Sequence, residues 1–125
     1  MRTKFRFEDM DIWKRGRDLA IELHRCAEEL EQRKYYRYAE QLRGAGLSVP
    51  NNIAEGSGSG HVQEFKQFLN IAHRSLFENA SMLLVFETMG IWPEGRIDHL
   101  LNECSEISRM ITAFSRSLKA NQQID

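Results

Sequence analysis

The sequence predicts an all-α fold, a single antiparallel up-and-down four-helix bundle with a kinked second helix. Three features point to it. Apolar residues recur at steps of three and four along four long stretches, the spacing that lines one face of an α-helix. No stretch alternates with period two for long enough to build a sheet. The links between stretches are short, which makes consecutive helices antiparallel neighbours.

The first helix is expected over 10–31, with Ile12, Leu19, Leu23, Cys26 and Leu30 on its seam and Gly16 at the one small position. Asp9 or Asp11 is the expected cap, because a carboxylate accepts hydrogen bonds from the first backbone N–H groups. The second helix is expected over 35–55, with Tyr35, Tyr38, Leu42, Ala45 and Val49 on one face. Pro50 removes one backbone hydrogen bond there and crowds the carbonyl four residues back. That carbonyl belongs to Gly46, which relaxes more easily without a Cβ. One kinked helix running on through Ile53 is therefore the expectation, with a true break at Pro50 as the alternative.

The third helix, expected over 61–88, carries Val62, Phe65, Leu69, Ala72, Leu76, Asn79, Leu83 and Phe86 on its seam. Ser59 or Gly60 at the end of a Gly/Ser link is its expected cap. The fourth, expected over 94–120, has the cleanest period, from Ile97 and Leu100 through Cys104, Ile107 and Ile111 to Phe114 and Leu118. Pro93 would supply a pre-set φ for its first turn.

Length and composition narrow the class. A chain of 125 residues makes one domain, and its size suffices for a core without covalent staples. Seventeen basic against eighteen acidic residues give a net charge of −1, which excludes a strongly basic nucleic-acid module. Cys26 and Cys104 are too few for a disulfide framework and suit a reducing compartment. No run approaches the ~18 apolar residues of a membrane span, and the start, with Arg2, Lys4 and Arg6, has no apolar stretch of the kind an export signal needs. A cytoplasmic protein without a membrane segment is expected.

The third helix has more apolar residues than one seam needs. Ile71, Phe77, Leu84 and Val85 lie about 100° or more from its seam direction. No helix of a four-helix bundle is central, so these side chains face water in a lone copy. An exposed apolar patch of that size marks an interface. These four residues are the candidate oligomer interface.

The run Asn51-Asn52-Ile53-Ala54-Glu55-Gly56, followed by Ala72-x-x-Ser75-x-x-Glu78, carries a resemblance. With an early tryptophan, Trp13, and Gly90 closing the third helix, the chain resembles the 23S rRNA-intervening sequence proteins over nearly its whole length. It departs from them at Gly44-Ala45-Gly46, where relatives more often carry alanines. The resemblance implies a four-helix bundle and a homo-oligomer, a pentameric ring by the same resemblance. It also implies a link to rRNA insertions, or to retroelements in which a related branch binds a reverse transcriptase and nucleic acid.

No constellation for catalysis is legible. Glu55 and Glu78 are the obvious paired carboxylates, yet some 17 residues of helix separate them, about 25 Å at 1.5 Å per residue. Acid–base pairs work at about 5–9.5 Å. A structural role is expected instead, with Glu55 partly buried near Trp13 and Lys14, and Glu78 partly buried near Tyr38 and Gln41. Together with Ser48, Asn52 and Ser75 they form an expected polar network that sets helix register. The four histidines lack ligand spacing, and the Glu-x-x-His repeats of di-metal bundles are absent, so no metal or cofactor is expected.

Positive charge collects in the first half of the chain. Lys14, Arg15 and Arg17 form one cluster and Arg33, Lys34 and Arg37 another, with Tyr35 and Tyr36 beside the second as a stacking surface for single strands. These six are the candidate nucleic-acid contacts. A mixed, solvated helix face explains the same residues. The sequence therefore favours a non-enzymatic, oligomeric scaffold that binds a protein or ribonucleoprotein partner. The alternative is a nucleic-acid-binding accessory protein with weak RNA or DNA affinity.

Overall fold

The computed structural model describes residues 1–119, and among these the chain is four helices and a short 3-10 turn. Helix α1 spans Asp11–Gln32, α2 Tyr36–Ser57, α3 Val62–Thr88 and α4 Asp98–Ser117. No strand is present among the described residues. The closest packing joins α1 to α2 and α2 to α3, while α1 and α4 touch least. Residue 120, the expected end of the fourth helix, lies outside the described residues.

The core is the four expected seams. Leu19, Leu23, Leu30, Leu42, Ile53 and Leu69 are among its fully buried side chains. Glycine sets how closely α1 and α2 approach. A Cβ on Gly16 would lie 3.2 Å from Val49 Cγ1, and one on Gly46 would lie 3.1 Å from Leu23 Cδ1. The partner positions run in opposite chain order, Gly16 beside Val49 and Pro50, Gly46 beside Ala20 and Leu23. Helix α2 is continuous through Pro50, which is buried against Gly16. Ion pairs also tie α1 to α4 and to the segment before it. Arg15 grips Glu103 through two hydrogen bonds of 2.8 and 2.7 Å, and Arg96 donates to Glu29 at 2.9 Å.

The helix ends depart from expectation for local reasons. Neither Asp9 nor Asp11 caps α1, whose N-cap is Met10 with no side-chain bond. Asp9 is taken by Lys4 at 2.8 Å, and Glu8 caps the preceding 3-10 turn, Arg6–Asp9, by accepting from the Phe5 N–H at 2.8 Å. The guanidinium of Arg2, hydrogen-bonded to the carboxylate, and then that backbone bond hold the Glu8 carboxyl down to about 2. Helix α3 starts on His61 rather than on Ser59 or Gly60; Ser59 Oγ instead accepts from the His61 N–H at 3.1 Å. Helix α4 begins four residues later than its period suggested. Gly95, at φ +88°, is left-handed and breaks any helix started at Pro93. The residues between them are no slack link, because Ile91 and Trp92 are buried in the core.

Candidate functional site

The outer face of α3 carries large apolar side chains that no described part of the chain covers. Phe77 is 63% exposed, Val85 51%, Leu84 46% and Ile71 43%. Met89 extends the strip by another turn and is 49% exposed. The helix presents them because its buried seam already fills with Leu69, Ala72, Leu76, Leu83 and Phe86. A shallow groove runs beside the strip, floored by Leu76 and Cys104 and edged by Phe77, Leu84 and Leu101.

A second apolar surface lies between α1 and α2, a groove of about 330 Å³ lined by Trp13, Ala20, Ile21, Leu47 and Pro50. The sequence reading missed it. Ile21 and Leu47 are 44% and 53% exposed, and each stands off its helix's seam. The off-seam criterion that singled out Phe77 finds them too when it is applied to the first two helices.

The expected polar network forms in part. Ser48 and Ser75 share a hydrogen bond of 2.7 Å between their hydroxyls, and Asn52 Nδ2 donates to Ser48 Oγ at 2.9 Å. Ser75 also donates to the Ile71 carbonyl at 3.0 Å. Glu55 and Glu78 are not partly buried but exposed. Glu55 lies two turns, about 10 Å, beyond Ser48 along α2. Glu78 turns outward with Phe77, since Ser75 takes the position facing α2. The expected register is off as well: Tyr38 packs against Phe86, with ring centroids 5.0 Å apart, and is not level with Glu78.

The six candidate nucleic-acid contacts do not gather. Two are held by structural bonds. Arg15 is committed to Glu103, and Arg33 donates to the Ile91 carbonyl while lying over the Tyr35 ring. Tyr35 is half-buried and stacks on Tyr38, so of the two tyrosines Tyr36 is the exposed one. Arg17 lies over Trp13 and pairs with Asp18. Lys34 and Arg37 are exposed at the α1–α2 turn. Some seventeen residues of α1 keep that turn about 25 Å from the Lys14–Arg17 cluster.

Histidine and cysteine are likewise engaged in structure. His24 accepts from Arg43 at 3.1 Å, and His73 bonds to Ser108 at 3.1 Å. No group of three potential metal ligands occurs among the described residues. Burial pushes the thiols of Cys26 and Cys104 up to about 11, which keeps both protonated and poor nucleophiles at neutral pH. No helix among the described residues is long and apolar enough to cross a membrane.

Comparison with known proteins agrees with this architecture. The family model described as 23S rRNA-intervening sequence protein matches residues 8–113. No curated protein matches the chain.

Proposed function

The chain belongs to the 23S rRNA-intervening sequence protein family, and from that premise we propose that it is a non-enzymatic scaffold whose copies assemble into a ring-like homo-oligomer. The assembled surface then binds a protein or ribonucleoprotein partner in the cytoplasm. A pentamer is the stoichiometry that the family resemblance implies. The observation that carries the reading is the apolar strip Ile71, Phe77, Leu84, Val85 on the outside of α3.

Magnitudes show what the strip needs. Fully burying a large apolar side chain is worth about 1.5–3 kcal/mol. These four are near half exposed, so covering them yields roughly 1 kcal/mol each, about 4 kcal/mol in all. Association costs about 4–15 kcal/mol in lost freedom and ordering. A strip meeting a polar surface therefore stays monomeric. A strip meeting a second apolar surface gains from both sides and assembles.

The absence of enzymatic chemistry in this reading rests on positive features. The two cysteines are buried and protonated, and Glu55 and Glu78 sit far apart on exposed faces. Light scattering is expected to give a mass several times that of one chain. Phe77→Glu and Val85→Lys, both at exposed positions, are expected to reduce it to the single-chain mass while leaving helicity intact. A single-chain mass for the unaltered protein at all concentrations defeats the proposal.

A further inference from the structure

The two apolar surfaces lie on different helices and are edged by different charges. The α1–α2 groove includes Arg17, His24 and Arg43 in its lining and no acidic residue. Arg17 and Arg43 hold Asp18 and Glu31 within the chain, yet each uses only part of its five-donor fork. On α3, Glu78 and Glu87 lie along the strip, with the exposed Arg74 one turn before Glu78. Glu78 is exposed beside Phe77 and enters no ion pair among the described residues.

Gly44 supplies an independent observation. It is exposed in the middle of α2, adjacent to Arg43, and a Cβ placed on it would meet nothing within 4 Å. Gly16, Gly46 and Gly56 are each explained by a neighbour at 3.2 Å or less; Gly44 has no such neighbour among the described residues. Glycine in an exposed helix weakens that helix relative to alanine. Close approach of another backbone is what a bare helix surface permits.

We propose that the α1–α2 groove of one copy receives the α3 strip of a second copy, with Phe77 against the apolar lining and Glu78 toward the basic rim. This rests on the self-association proposed above and specifies its geometry. Because the two surfaces differ, each copy offers a groove to one neighbour and a strip to the other. Such heterologous contacts close into rings or grow as filaments, according to the rotation per step. Pairing strip on strip about a two-fold axis leaves the groove uncovered.

Complementation between two blocked variants tests the arrangement. Leu47→Glu blocks the groove and keeps the strip; Phe77→Glu blocks the strip and keeps the groove. Each variant alone is expected to run as a single chain, and an equimolar mixture is expected to form a two-chain species that grows no further. Ile21→Glu serves as a second groove block if Leu47→Glu loses helicity. Assembly of both groove variants at the wild-type mass overturns the proposal, because the groove is then unused. So does a mixture that remains monomeric. A wild-type protein that is itself monomeric defeats the self-association reading first, which separates the two failures.

Discussion

Asn79 is fully buried on the seam of α3, and neither its Oδ1 nor its Nδ2 has a hydrogen-bond partner. A buried amide of this kind costs about 1–3 kcal/mol. Leucine has the same branching without the polar atoms, so Asn79→Leu is expected to raise unfolding free energy by about 1–3 kcal/mol. Chemical denaturation measures it, and a lowered midpoint would show that the amide is satisfied in solution. The same scale explains why a basic residue in the sequence is not always a free cation on the surface. Arg15 carries the same charge as Lys34 and Arg37, but Glu103 holds it as a strut.

Among the elements, α2 shows glycine in two opposite roles. At Gly56 a Cβ would fall 2.7 Å from Phe65 Cδ1 and 2.8 Å from Phe68 Cβ, so α3 can approach only because the side chain is missing. Gly56→Ala is expected to destabilise the fold by about 1–3 kcal/mol, as overpacking does. Gly44→Ala has open space and is expected to stabilise a separated chain by up to about 1 kcal/mol. Thermal melts in the Phe77→Glu background compare the two without interference from assembly. Equal shifts of the same sign in both variants would contradict the packing described for Gly56.

For the molecule as a whole, apolar surface and charge point to different partners, and the apolar surface dominates. The six candidate cations split between the two ends of α1, and several are already paired. Affinity for single-stranded RNA falls with salt by about 0.7 log units per log unit for each phosphate contact. Few contacts per copy therefore mean weak binding. Filter binding is expected to show little retention at about 50 mM salt and none by about 200 mM. A complex that survives the higher salt would favour the nucleic-acid alternative over the scaffold.

Helical period alone determined the four helices and their buried seams, because a residue's place on a helix follows from its number and the 100° step. It also singled out Ile71, Phe77, Leu84 and Val85, whose angle to the seam is a local quantity. The tertiary structure decided everything that depends on which residue of one helix lies level with which residue of the next. Ser48 meets Ser75, Tyr38 meets Phe86, and Gly16 and Gly46 fall where α1 and α2 come close. The reason is that period fixes rotation about a helix axis and leaves the axial offset free. Only close contact between specific side chains removes that freedom.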